Sequence, residues 1–332
     1  MPDADVLIVG GGIAGLSAAY FATQAGRGVT IIDEGVHRTS DLPVALINPL
    51  RGRNGRLVAD GVEGMQASFA LIAALRDAGH AIQAGQGLHR PLIGVAPEAL
   101  VRSFWAERIG ERMRFDWHDV APVSLGLVEP VPSLFLHEAG WVAAGTLLDA
   151  LRAASEATVV SDRVTCIDRE VVTLASGIVV TARTLLWCGG AWGAALLDGD
   201  IDRAAEALYK PGSLLAVDAV LTSEPLSFGL YAAPWIDAGD EPSTLVGPTR
   251  EGSSSSFPES PLPAEAMAHL ADRIARVFGS TMPPREAWRG VRLTRMSSPA
   301  TTALAGIPTL TALGSRGFLM APLLAQAWSR SL

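Results

Sequence analysis

Three glycines and a following acid hold the clearest chemistry in this sequence. Val6-Leu7-Ile8-Val9 runs into Gly10-Gly11-Gly12-Ile13-Ala14-Gly15, and one helix length later the chain reaches Val29-Thr30-Ile31-Ile32-Asp33-Glu34. A glycine-rich turn from strand into helix lets backbone N–H groups meet a diphosphate, because the first amides of a helix have no partner inside it. Gly10 permits the sharp turn, Gly12 leaves room for a pyrophosphate, and Gly15 lets the helix lie close to the sheet. Asp33, at the end of the second strand, is placed to accept hydrogen bonds from a ribose diol. A merely structural turn explains the glycines alone. With the flanking strands, the apolar helix face and the acid, the order points to a dinucleotide-binding βαβ unit.

Other segments carry weaker signals. Leu185-Leu186-Trp187-Cys188-Gly189-Gly190-Ala191-Trp192 repeats the strand-to-glycine-turn logic, although a simple turn explains it about as well. Near the end, Thr309-Leu310-Thr311-Ala312-Leu313 runs into Gly314-Ser315-Arg316-Gly317-Phe318 ahead of a helix over 319–328, with Pro322 expected in its first turn, where a missing N–H is tolerated. Arg51, Arg53 and Arg56 form a small cluster that fits either a solvated loop or a contact to a bound anion. Cys166 and Cys188 are the only cysteines, and the histidines, including His80, His89, His118 and His137, lack metal-ligand spacing. No disulfide framework and no metal are expected.

These residues need a scaffold, and the chain has room for one larger than a nucleotide module: 332 residues, 49% of them hydrophobic. Helices are expected over 13–25, over 60–78, where Val62, Met65, Phe69, Ile72 and Leu75 recur at intervals of three and four, over 145–154 and over 264–278. Strands are expected at 158–160, in a hairpin of 163–168 and 170–174, and at 214–220, 230–233 and 244–246. Residues 87–137, with Trp105, Trp117 and short proline-punctuated apolar runs, read as an inserted cap. The fold class is therefore α/β, a Rossmann-like nucleotide domain with an inserted α+β substrate domain containing an antiparallel sheet. The nucleotide domain takes 1–84, 140–206 and 285–332; the substrate domain takes 85–139 and 207–284. A net charge of −8 disfavours nonspecific attraction to a polyanion. With no long apolar stretch and no basic leader, the expectation is a cytoplasmic protein without a membrane partner.

The combined pattern resembles the FAD-dependent D-amino-acid oxidase superfamily, especially its glycine-oxidase, sarcosine-oxidase and tRNA wobble-uridine-modifying branches. The resemblance rests on VLIVGGGIAGLSAAY at 6–20, VTIIDEG at 29–35, GWVAAGTLLDAL at 140–151, LLWCGGAW at 185–192, LVGPTREG at 245–252, RGVRL at 289–293 and LGSRGFLMAPLLA at 313–325. It implies a noncovalent FAD, with Gly10, Gly12, Ile13, Ala14, Gly15, Asp33 and Glu34 around the adenosine diphosphate and Val164 beside adenine. Gly189 and Ala191 would help enclose the cofactor. Gly314, Ser315, Arg316, Gly317 and Phe318 match the segment that approaches the isoalloxazine ring and ribityl chain.

The same resemblance implies oxidation of a C–N bond, with hydride passing from substrate carbon to flavin N5 and oxygen as a possible electron acceptor. Arg292 aligns with an arginine that clamps a substrate carboxylate; a guanidinium fork suits a planar carboxylate, and Arg289 and Arg295 compete for that role. Tyr209, Lys210, Tyr231 and Trp235 are candidates on the substrate side, with Tyr209 and Tyr231 able to orient an amine or acid. Core packing for Tyr231 and solvent exposure for Lys210 are the alternatives. The substrate implied is a small amino acid or N-substituted glycine. Carboxymethylaminomethyl-uridine in tRNA shares the N-substituted glycine unit, although the net charge does not favour an RNA partner.

Two departures from the family pattern stand out: His37-Arg38-Thr39-Ser40-Asp41-Leu42-Pro43 where a Gly/Ser-rich stretch is common, and Thr294 to Thr302 without the usual Asp and Gly around the proline. The latter leaves open a third reading, an FAD-binding partner protein without turnover.

Overall fold

The computed structural model describes residues 4–168, 171–196, 207–236, 241–249, 251–295, 303–304 and 307–332. Two sheets organise them. The first has six strands in the order Val164–Asp168, Val171–Leu174, Val179–Trp187, Ala4–Val9, Val29–Ile32, Thr158–Val160. Ala4–Val9 pairs in parallel with both neighbours, and Val29–Ile32 pairs in parallel with Thr158–Val160. Leu7 and Ile8 are both fully buried although they face opposite sides, as befits a central parallel strand covered on both faces. The hairpin at 164–174 extends the sheet antiparallel.

The helix Ile13–Gln24 lies close against this sheet because its contact residues are small: Gly15, Ser17, Ala18, Ala19 and Ala22 are buried. The helices Gly61–Asp77, Ala144–Ala154 and Gly317–Ser329 share its core. The last begins two residues earlier than the sequence suggests, so Pro322 falls in its second turn rather than its first. A proline there cannot donate to the carbonyl of Phe318. Ser68 Oγ, from the neighbouring helix, sits 2.9 Å from that oxygen and supplies a substitute donor.

The second sheet has nine strands, in the order Arg285–Arg295, Leu208–Val217, Pro242–Gly247, Tyr231–Ile236, Leu226–Ser227, Ala84–Pro91, Ser133–Ala143, Val44–Ile47, with Phe115–His118 paired beside Ser133–Ala143. It is antiparallel except where Leu226–Ser227 meets Ala84–Pro91. The helix Ala264–Phe278 buries Ala266, Leu270, Ile274 and Phe278 at four-residue intervals, and the last three pack onto Leu215, Val217, Phe228 and Val246 of one face. This sheet also takes in Val44–Ile47 and Arg285–Arg295. The segment after Arg295 that departs from the family pattern, from Met296 to Thr302, lies outside the described residues.

Among the described residues no helix is long and apolar enough to cross a membrane.

Candidate functional site

A cavity of about 740 Å³ runs between the two sheets, lined on one side by the first glycine turn and on the other by the nine-stranded sheet. That is within the range of small-ligand and cofactor sites. On the first side, Gly10 has φ +104°, and a Cβ there would stand 2.5 Å from the Cys188 carbonyl oxygen. Only glycine lets the two strand-to-turn segments meet so closely. Leu16 N–H makes the first helical bond, to Gly12 O at 2.9 Å, so the amides before it have no intrahelical partner. Ser40 Oγ accepts from Ile13 N–H at 3.0 Å. The unusual stretch after Glu34 therefore supplies a cap for this helix.

Gly15 is not part of the cavity wall. A Cβ there would lie 1.8 Å from Gly10 O, so its role is the close packing read from the sequence. Asp33 reaches the cavity with Arg38 Nε donating to its Oδ2 at 2.7 Å, while its Oδ1 remains available as an acceptor. Glu34 also lines the cavity and accepts from Trp192 Nε1 at 3.0 Å. Val164, Gly189, Ala191, Gly314, Ser315, Gly317 and Phe318 join Gly10, Gly12, Ile13 and Ala14 around the same space.

Arg316 does not line the cavity; its Nε–H turns back to Leu313 O at 3.3 Å. Its expected cofactor contact is thus replaced by a role within its own turn.

The opposite wall corrects a second expectation. Strand pairing sets Lys210 directly across from Arg292, and Lys210, Gly212, Leu214 and Arg292 all line the cavity. Neighbouring strand residues point to opposite faces, so Tyr209 must leave this wall. It is fully buried on the other side among Ala191, Val291, Leu293 and Phe257, and is therefore a packing residue rather than a substrate contact. Lys210, whose sequence fits a solvated position, faces the cavity instead. Trp235 does not line it and carries Arg285 over its ring at 5.7 Å.

Tyr231 lines the cavity and donates its O–H to Val44 O at 3.2 Å. Burial drives its phenol pKa far up, against the opposing charge of Arg292, so the hydroxyl stays protonated. Arg292 has its pKa lowered chiefly by burial, and no acid lies within ion-pair distance among the described residues. Its competitor Arg289 is engaged: both of its terminal nitrogens bond the Glu251 carboxylate, at 2.9 and 2.8 Å. The side chain of Arg295 is outside the described residues.

Arg51 is the cavity residue that the sequence leaves most ambiguous. It leads the hairpin Leu50–Arg51/Arg56–Leu57, and it lines the cavity while Arg53 and Arg56 point to solvent. The hairpin is fixed by Arg90, 1% exposed, whose guanidinium donates to the carbonyls of Gly52, Arg53 and Ser227 and lies over Trp105 at 5.5 Å. Burial pulls the Arg90 pKa down to about 10.

The family model for FAD-dependent oxidoreductases matches residues 5–330. The chain belongs to that family. It is 31% identical over 337 residues to the tRNA 5-methylaminomethyl-2-thiouridine biosynthesis bifunctional protein MnmC of Caulobacter vibrioides. That alignment covers 96% of this chain and 53% of the relative, so the chain spans about half the length of the curated relative it matches. Among solved structures, glycine oxidase from Bacillus cereus is 19% identical with a TM-score of 0.77, covering 99% of this chain and 94% of that one. Iminodiacetate oxidase from Chelativorans sp. is also 19% identical, with a TM-score of 0.78 and coverage of 98% and 94%. At such identities these likenesses show a shared fold.

FAD is the cofactor of this oxidoreductase. The glycine cradle, the helix-start amides that lack intrahelical partners and the Asp33 acceptor fit its diphosphate and ribose. Cys188 borders the site, where burial raises its thiol pKa far above neutrality and keeps it a poor nucleophile. Among the described residues no group of His, Cys, Asp and Glu could hold a metal.

Proposed function

We propose that this FAD-dependent oxidoreductase oxidises the C–N bond of a small amino acid or N-substituted glycine, with Arg292 receiving the substrate carboxylate. The observation that carries this reading is Arg292 itself, a half-buried guanidinium facing the cavity with no acid partner among the described residues. Its two parallel donors fix a carboxylate in one plane and thereby fix the carbon beside it. Bound FAD supplies the two-electron acceptor for the hydride leaving that carbon, with oxygen as a possible final acceptor.

The amine must be neutral for the hydride to leave. Arg51, Lys210 and Arg292 disfavour a further positive charge nearby and lower the pKa of a substrate ammonium. Tyr231, held protonated, does not act as a base; its oxygen can accept a bond from the amine N–H. Leu214, Leu230 and Trp288 give this wall apolar surface that excludes water from the reacting carbon.

A second reading takes the same chemistry to carboxymethylaminomethyl-uridine in tRNA, and the likeness to the Caulobacter tRNA-modifying protein favours it. Both substrates present the N-substituted glycine unit to Arg292. The net charge of −8 supports the free metabolite. Mixing the FAD-loaded protein anaerobically with glycine, N-methylglycine or the modified tRNA distinguishes the readings. Bleaching of the oxidised flavin band by a free amine is the expected result. Bleaching by tRNA alone transfers the function to the second reading, and no bleaching by any of them rejects both.

A further inference from the structure

A buried hydroxyl on the cavity wall lacks a partner within the protein. Thr311 is 6% exposed and lines the cavity, and its Oγ1 has no hydrogen-bond partner among the described residues. Ser17, His89 and Arg90 also bury an unpartnered side-chain atom, but none of them borders the cavity. A hydroxyl shut away from water costs stability unless it is bonded, so one that is kept at a binding cavity points to a ligand that completes the bond. The backbone beside it adds to that cost. Ala312, the next residue, has φ +57°, a left-handed conformation that residues with a Cβ rarely take, and it too lines the cavity.

The course of the chain fixes which part of the ligand the hydroxyl faces. Thr309 bridges in parallel to Trp187, the last residue of the strand Val179–Trp187, and Leu310 N–H donates to Trp187 O at 2.9 Å. By Gly314 the chain has reached the strand Arg285–Arg295 of the other sheet, since a Cβ on Gly314 would stand 3.6 Å from Thr294 Cγ2. Thr311 therefore lies within a crossing from the six-stranded to the nine-stranded sheet. FAD must make the same crossing, with its diphosphate at the glycine turn and its reactive ring at the wall that holds the substrate. We infer that Thr311 is a cofactor-binding residue whose hydroxyl bonds the half of FAD made of the ribityl chain and flavin ring. The glycine turn and helix-start amides serve the diphosphate, which leaves the ribityl hydroxyls and the polar edge of the ring. A threonine hydroxyl, at once donor and acceptor, suits either. The assignment holds whichever amine is oxidised, because it concerns the cofactor alone.

Thr311→Val keeps the side chain's shape and removes the hydroxyl, whereas Thr311→Ser keeps the hydroxyl. Dilution of the FAD-loaded proteins, followed by the fluorescence of freed flavin, gives the rate of release. Thr311→Val is expected to release FAD about three- to ten-fold faster, the worth of one hydrogen bond, and Thr311→Ser to stay near the unaltered rate. Displacement of FAD by added ADP then locates the bond. The ADP concentration that displaces half of the FAD is expected to fall in Thr311→Val by a similar factor, because ADP lacks the ribityl chain and ring. An unchanged release rate overturns the inference. Faster release with an unchanged ADP midpoint also overturns it, since the bond would then lie on the part of FAD that ADP shares. A Thr311→Val protein that does not fold overturns it too, because the hydroxyl would then have its partner within the chain.

Discussion

The two walls of the cavity are built by different means. The six-stranded side offers backbone: a left-handed glycine, helix-start amides without intrahelical partners, and glycine positions packed so close to neighbouring carbonyls that a methyl group would not fit. The nine-stranded side offers side chains: Arg51, Lys210, Tyr231 and Arg292 brought together from distant parts of the chain. A backbone site tolerates little substitution and serves one ligand group, the diphosphate. A side-chain site can be retuned one residue at a time, which suits the part of a family's site that selects substrate.

The largest effect expected from breaking this contrast is at Gly15. A Cβ there collides with the Gly10 carbonyl oxygen at 1.8 Å, a backbone atom that cannot swing aside as a side chain could. Gly15→Ala is predicted to be purified without flavin and with a lower melting temperature, as measured by absorbance and calorimetry. Full FAD occupancy in that variant would show that the turn does not hold the cofactor. Next, Arg292→Met is predicted to keep its FAD while binding N-methylglycine about ten- to a hundred-fold more weakly, the worth of hydrogen bonds to a charged group. Loss of FAD in that variant would erase the distinction between the walls.

How far these residues could be seen in the sequence depends on how local their determinants are. The turn at Gly10–Gly15 and the helix at Ala264–Phe278 are set by neighbours within a few residues, and both are legible. The choice between Tyr209 and Lys210 is set by pairing with a strand some eighty residues away. Alternation along the strand allows one of the two to face the site but does not say which. The start of the last helix and the place of Pro322 in it depend on Ser68 from a separate helix, and Arg51 is aimed by Arg90 from another strand. Glu34 and Asp33 are visible as acids, but their partners Trp192 and Arg38 emerge only in the fold.

Two smaller effects sharpen the comparison. Arg90→Met removes the donor shared by three carbonyls and is predicted to cost about 2 kcal/mol of stability, the order of hydrogen bonds made by a charged group. Chemical denaturation measures it, and flavin content should be retained because the hairpin belongs to the substrate wall. Tyr231→Phe loses one bond of 3.2 Å to Val44 O and is predicted to cost about 1 kcal/mol or less, with FAD binding intact. A larger loss for Tyr231→Phe than for Arg90→Met in the same denaturation series would invert the order of importance assigned here.

The most direct test of a backbone wall for FAD facing a side-chain wall for the substrate uses acetate, a carboxylate with nothing to oxidise. Titrated into the FAD-loaded protein, it should perturb the flavin spectrum saturably and compete with N-methylglycine, and Arg292→Met should retain the flavin but lose that response. An equal acetate response in the Arg292→Met variant, or none in the unaltered protein, would contradict the assignment.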